Sequence, residues 1–290
     1  MPAQHTNPSH SSTASLQQAV EALEHNPRPE VVADLLSALE SGAVRAAHRR
    51  EDATWEAVAW VKRGILAAFR LGVVADLSPR EASGRLIPPF TFIDKDTLPA
   101  RTFGVDDGVR IVPGGTTIRR GVHVGRGVIC MPPAFVNVGA FIDIDTMVDS
   151  HALVGSCAQI GARVHLSAGA QIGGVLEPVN ASPVIIEDDV VVGGNCGVFE
   201  GVIVRARAVL GAGVILTRGI PVYDLTRETV YRAAPGQPLE IPAGAVVVSG
   251  TRPTTTAWGQ SQGLAVTAAL VVKYRDAKTD AATVLEMALR

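Results

Sequence analysis

A six-residue period governs the middle of this chain and leaves few folds open to it. Val112, Ile118, Val124, Cys130, Val136, Ile142, Val148, Val154, Ile160, Leu166 and Ile172 follow one another at intervals of six without a slip. The frame jumps by two residues across 176–183 and resumes at Ile186, Val192, Val198, Val204, Leu210 and Leu216. Two positions before the later frame residues stands a small or β-branched one, as in Val122, Val128, Ala134, Ala140, Thr146, Ala152, Ala158, Val164 and Ala170. Neither a helix, with its period of about 3.6, nor an alternating strand generates such spacing. It is the pattern of a solenoid in which each hexad gives a short strand and a turn, and three hexads close one triangular coil. Each aliphatic frame residue then points inward and stacks on its equivalent one coil away, so the roughly seventeen hexads share one continuous core. Gly125, Gly155, Gly161 and Gly193 are expected to take positive φ in the turns. The abundance of glycine (29 residues) and the scarcity of aromatics (4%) suit a fold of tight turns and small interior side chains.

The flanks have a different character. Residues 1–13 are polar and read as a disordered tail. Residues 14–103 read as an N-terminal helical domain and linker. Leu16, Val20 and Leu23 recur at helical spacing, as do Val32, Leu35, Leu36 and Leu39, with Ser41-Gly42 as a stop. A third helix is expected over 55–71, with Val58, Val61, Ile65 and Phe69 on one stripe. Pro79, Pro88 and Pro89 mark the irregular connection. The repeats occupy 104–222, and 223–290 form a C-terminal segment in which the frame dissolves. Two buried strands (241–250 and 264–274) and a short helix (279–289) are expected there. The fold class is mainly β: a parallel β-helix of hexapeptide repeats with a small helical domain before it and a short β/α segment after it.

Composition narrows the function. A net charge of -2 gives no polycationic surface for nucleic acid. No apolar run is long enough to span a bilayer, and the N-terminus lacks an apolar signal region, so a cytoplasmic protein without a membrane partner is expected. Cys130, Cys157 and Cys196 are too few and too scattered for a disulfide framework or a zinc site. A solenoid metalloenzyme resembling γ-carbonic anhydrase would need three converging histidines. His123, His151 and His165 leave remainders of 15, 7 and 3 on division by 18, so they stand at different points of the coil and no metal is expected.

Particular blocks go further than the period. Gly139-Ala140-Phe141-Ile142-Asp143, Thr146-Met147-Val148-Asp149 and Val154-Gly155-Ser156-Cys157-Ala158-Gln159-Ile160-Gly161 follow in order. Val164-His165-Leu166-Ser167, Ile172-Gly173-Gly174-Val175-Leu176-Glu177-Pro178, Ile185-Ile186-Glu187-Asp188 and Phe199-Glu200-Gly201-Val202-Ile203-Val204 come next. Val246-Val247-Val248-Ser249-Gly250 and Asp276-Ala277-Lys278-Thr279 complete the series. With them the chain, from about residue 28 onward, resembles the tetrahydrodipicolinate N-succinyltransferases of lysine and diaminopimelate biosynthesis. The resemblance implies a left-handed β-helix, against the usual right-handed crossover rule, and a homotrimer with active sites between neighbouring helices. It implies succinyl-CoA as co-substrate, with no permanently bound cofactor, and an amino-dicarboxylate as acceptor.

Acyl transfer to an amine needs a free lone pair, alignment with the thioester carbonyl and stabilisation of the oxyanion. An alkyl amine is protonated near neutral pH, so a base must take a proton. In the family the Asp of Met-Val-Asp contacts and helps deprotonate the amine, and the resemblance carries that role to Asp149. Arg110, in Gly108-Val109-Arg110-Ile111-Val112-Pro113, matches a family arginine that grips a substrate carboxylate, for which a guanidinium fork is well shaped. His165 is read as a structural hydrogen bonder or a substrate contact. Gly174 is read as a place where backbone approaches the ligand closely. Gly213, Lys273 and Lys278 are assigned to acyl-CoA, the lysines either as partners of its phosphates or as a solvated basic edge. One position departs from the family: Gly197 stands where a glutamate, usually regarded as catalytic, is expected. His151 and Glu200 are the candidates to supply the missing group. Three readings follow: the lysine-pathway succinyltransferase with that compensation, a paralogue that acylates a related amino-dicarboxylate, with acetyl-CoA as a further donor, or a non-catalytic trimeric binding protein.

Overall fold

The structure is a computed structural model that describes residues 10–84 and 91–276. Each hexad folds into a two-residue strand whose second residue is the aliphatic frame residue, as in Met147–Val148, Leu153–Val154 and Gln159–Ile160. Strands pair in parallel with those three hexads away: Phe141 with Gln159, Met147 with His165, and Leu153 with Gln171. Three parallel sheets therefore wall a prism, with rungs about 4.8 Å apart. The first face begins at His123–Val124, the second at Arg110–Ile111 and the third at Thr117–Ile118. The frame residues Val136, Ile142, Val148, Val154, Ile160, Leu166 and Ile172 are completely buried in one core. Val112 is the exception; it is only half buried and lies just past the end of the first strand.

The prism turns its corners through residues of positive φ, but not those expected. Gly125, Gly155, Gly161 and Gly193 have ordinary φ. The left-handed position falls two residues later in each case, at Gly127, Cys157, Arg163 and Asn195. The four glycines are required instead by close approach between coils. A Cβ on Gly125 would lie 2.7 Å from the backbone nitrogen of Ile144, and one on Gly193 would lie 2.6 Å from the carbonyl oxygen of Leu210.

Two inserts interrupt the coil. Gln159 pairs with Ile185, so rungs normally 18 residues apart are here 26 apart, and the frame jump seen in the sequence is an eight-residue excursion between the third and first faces. Higher up, Ile203 pairs with Glu240 across a longer excursion that contains the hairpin Val222–Asp224 and Thr229–Tyr231. The frame does not dissolve after it, as the sequence suggested; Ile241 and Val247, six residues apart and both fully buried, restore it. Ala245–Pro253 and Ala265–Tyr274 then form a long antiparallel ribbon that extends the second face. The helix expected over 279–289 lies outside the described residues.

Before the prism come three helices: α1 (His10–Glu21), α2 (Pro29–Glu40) and α3 (Ala59–Leu71). Helix α1 begins inside the stretch read from sequence as a tail. Helix α3 starts later than its periodicity implied, because Trp55–Ala57 pairs as a strand with Ala47–Arg49. That hairpin docks on the first face, where the Trp55 indole donates to Glu187 at 2.9 Å. Val20, Leu35, Leu36, Val61 and Ile65 pack with Val138 and Cys157 of the prism, so helices and lower coils share a core.

Asp224 anchors the upper excursion. Its carboxylate is buried and accepts from the Tyr274 hydroxyl at 2.6 Å, the Thr226 hydroxyl at 2.8 Å and two backbone amides. Burial alone would raise its pKa, but the bonds from Tyr274 and Thr226 outweigh it and hold the value at about 2. An unfolded aspartate titrates near ~3.9. The folded value is the lower one, so this contribution is complete above about pH 4 and is lost as pH falls toward 2. Melting temperatures measured across that window should fall for the native chain. Asp224→Asn should melt lower at neutral pH and show a shallower acid slope. In the core, Leu166→Ala should cost about 2–5 kcal/mol by denaturant titration, because stacked coils close poorly around a cavity.

Candidate active site

The three edges of the prism differ in chemistry. Between the first and second faces the positive-φ positions carry Asp145, Arg163, Asp189 and Arg207, and Arg163 grips Asp189 through two bonds of 2.7 and 2.9 Å. This edge is charged and holds an ion pair of its own. Between the second and third faces the corresponding positions are His151, Gly169, Asn195 and Gly213, an open and nearly uncharged row. Between the third and first faces lie Gly139 and Cys157, then the lower insert, then Glu200 and Gly201.

Four of the expected site residues lie on the second face and its edge with the third, spread over several rungs. Arg110 and His165 belong to one ladder, Arg110–Ile129–Met147–His165. Asp149 follows Met147–Val148 at the edge; its Oδ1 accepts from the amide of Ser150 at 2.7 Å. Its Oδ2 stands 3.9 Å from Nε2 of His165. The Asp149 side chain is 30% exposed and that of His165 only 8%, so the carboxylate is the partner that solvent or a substrate reaches. His151 sits two residues beyond, in the left-handed region at φ 62, and its carbonyl accepts from Gln171 at 3.1 Å. Gly213 lies on the same edge three coils higher, roughly 14 Å away at the rung spacing, and a Cβ there would meet nothing within 4 Å. Lys273 pairs with Val246 at the top of the second face and holds Asp276 at 3.2 Å. Lys278 lies outside the described residues.

Glu200 and Gly174 are elsewhere. They line a cavity of about 810 Å³ on the third-to-first edge, with Gly173, Phe199, Thr217 and Arg218 and, from the lower insert, Glu177, Asn180, Ala181 and Ser182. Glu200 Oε2 accepts from the amide of Arg218 at 3.0 Å. Gly174 is glycine for a reason of packing, since its Cβ would lie 2.6 Å from the amide nitrogen of Ser156. One chain therefore does not bring Asp149 and Glu200 together; they stand on different edges.

Family models for the N-terminal region of tetrahydrodipicolinate N-succinyltransferase and for the hexapeptide repeat of succinyl-transferase match residues 6–71 and 183–218. The 2,3,4,5-tetrahydropyridine-2,6-dicarboxylate N-succinyltransferase of Albidiferax ferrireducens is 41% identical to this chain over 283 residues, covering 97% of this chain and 93% of that protein. The enzyme of the same name from Ralstonia nicotianae is 43% identical over 264 residues, covering 89% and 88% respectively. The chain belongs to the tetrahydrodipicolinate N-succinyltransferase family.

Within this succinyltransferase family fold, Gly197 has a structural counterpart in Phe199. Gly197 is the outward residue of its strand, yet it is buried, because the Phe199 ring folds back over it. A Cβ on Gly197 would lie 2.9 Å from Cζ of Phe199 and 3.0 Å from Cδ1 of Ile215. The same ring lies against Gly173, where a Cβ would lie 2.7 Å from its Cδ1. Sequence reading missed Phe199, Arg218 and the insert residues as parts of a cavity wall. The insert registered only as a broken frame, and nothing in the period says that its chain folds back on the coil.

Gly197→Glu by itself should therefore destabilise the protein by about 1–3 kcal/mol, the usual range for overpacking. Adding Phe199→Val should recover most of the loss, and a double-mutant cycle by thermal or chemical denaturation measures that coupling. Additive effects of the two substitutions would show that the ring and the vacant side-chain position are independent.

Proposed function

We propose that this chain transfers the succinyl group of succinyl-CoA to the amine of L-2-amino-6-oxopimelate, the open form of tetrahydrodipicolinate. The observation that carries this reading is the approach of Asp149 to His165 at the second-to-third edge, with Arg110 lower on the same face and the open row to Gly213 above. Arg110 offers a guanidinium fork for an acceptor carboxylate. The edge offers uncrowded backbone for the long arm of acyl-CoA, and Lys273 a cation at the top of the adjoining second face.

In the reaction the amine lone pair attacks the thioester carbonyl carbon, and Asp149 takes the proton the nitrogen sheds. The tetrahedral intermediate collapses as the carbon–sulfur bond breaks, leaving an amide and a CoA thiolate that takes up a proton. His151, near Asp149 in sequence and on the same edge, or Glu200 serves as the second proton carrier in place of the family glutamate. Asp149 and Glu200 stand on different edges of one prism, so a site that uses both is composed between copies. A cyclic trimer of left-handed helices, each lending one edge to its neighbour, provides three such sites. The chain has no helix among its described residues that is long and apolar enough to cross a membrane.

Gly197 favours a second reading, in which the same fold acylates a different amino-dicarboxylate or uses acetyl-CoA. A thiol-release assay with tetrahydrodipicolinate decides between them. Turnover of about 1 s⁻¹ or more with succinyl-CoA is expected, and a folded protein inactive with both donors would move the assignment to another acceptor. Asp149→Asn should lower kcat by ~10²-fold or more; a change within about twofold would remove Asp149 from the role of base. Sedimentation should give three chains of 30.3 kDa each.

A further inference from the structure

Lys62 on α3 is completely buried, the largest of the fully buried side chains. Its ammonium donates to the carbonyl oxygen of Ala181 at 2.6 Å. Ala181 belongs to the lower insert and lines the cavity that also holds Glu200. Among the described residues no carboxylate pairs with Lys62. Its titratable neighbour is Cys157, whose thiol burial pushes up to about 12 and so keeps neutral. An ammonium removed from water and given a neutral acceptor is a poor device for stability, and an apolar side chain of similar length would fill the space without that desolvation. What the lysine does that methionine would not is grip one peptide of the insert from the helical domain.

The grip extends to the candidate site. Ser182, next to Ala181, places its carbonyl oxygen where a Cβ on Gly201 would approach to 2.5 Å, and Gly201 follows Glu200 directly. At the other end of the insert, Leu176 packs on the helical core. A continuous path thus runs from α3 through Lys62, Ala181 and Ser182 to the corner that presents Glu200. We propose that Lys62 is a positioning residue, which holds the insert against the coil and so sets the wall of the cavity and the placement of Glu200. The proposal rests on the reading that this cavity forms part of the acyl-transfer site.

The test compares Lys62→Met, Lys62→Arg and the native full-length chain by amide hydrogen exchange and steady-state kinetics, at a temperature well below each melting point. In Lys62→Met, exchange across 175–182 should rise at least ~10-fold while the prism strands keep their protection, since a locally released loop opens without global unfolding. KM for acceptor or acyl-CoA should rise, or kcat fall, by ~10-fold, and Lys62→Arg should recover part of both effects. A lower melting temperature with native exchange in 175–182 and native kinetic constants would overturn the proposal and leave Lys62 a packing residue. If Lys62→Met does not fold, Lys62→Gln, shorter but still a donor, takes its place in the same comparison. If the native chain turns over no acyl-CoA, the functional reading fails, and the exchange data alone decide whether the tether exists.

Discussion

Every inward side chain of the prism stacks on the one a coil below, and this stacking dictates what the rest of the molecule is free to do. A rung is only about 4.8 Å high, so the register of one coil fixes the next, and one slipped residue would turn the aliphatic ladder outward. Insertions are therefore excluded from the strands and collect at the edges, where both inserts are found. The same rule explains why each edge has its own chemistry. Turn residues repeat in columns, so a change in one turn sits directly above its equivalents, and a column of charged residues or of open glycine and asparagine emerges from the spacing itself.

The helical domain is attached by a different kind of force. Its lower contact is apolar, through Ile65 and Leu36 to Val138 and Cys157, but its arm reaches the first face by polar groups removed from water. The Arg45 guanidinium lies 3.6 Å over the centre of the Phe141 ring and donates to Gln159 at 2.9 Å. Burial lowers its pKa against the opposing fields of Asp143 and Asp188. Glu187, also buried, accepts from Trp55, Arg205 and the amide of Ala206. Those hydrogen bonds, led by Trp55 and Arg205, overcome its desolvation and keep it ionised. Such contacts are directional where apolar ones are not. They fix the orientation of the domain on the prism, and with it the reach of α3 toward the lower insert.

The solenoid was legible because its signal is periodic and its energetics are local: Val148, Leu166 and Val192 can be assigned inward with no knowledge of their partners. What the period could not convey was the reason for a residue at a turn. Gly155 and Gly193 look like conformational glycines but are glycines of close approach, a property that resides in the neighbouring coil. Trp55 has the spacing of a helix residue, yet its indole is captured by Glu187, 132 positions away. Asp149 is marked by a family block and Arg110 by its match to a family arginine, and the structure sets Arg110 on the second face and Asp149 at its edge. Glu200 lies in a family block as well, but its edge and its distance from Asp149 depend on counting coils through an insert whose path the period does not give.

Gly197 shows how a local exchange can be forced by packing. The outward position of that strand and the corner residue after it compete for the same volume above Gly173, since the ring of Phe199 lies across both glycines. A longer side chain at 197 would have to displace the ring at 199 and the end of Ile215. With the ring in place, the carboxylates that line this cavity come from its corner and from the insert, Glu200 and Glu177. Glu200 occupies a turn, held by the amide of Arg218, on a corner whose backbone is braced by the insert. If Glu200 carries the proton as proposed, the glycine at 197 and the contact of the insert with the Gly201 corner belong to one arrangement, in which the acid stands on the edge and not on the strand.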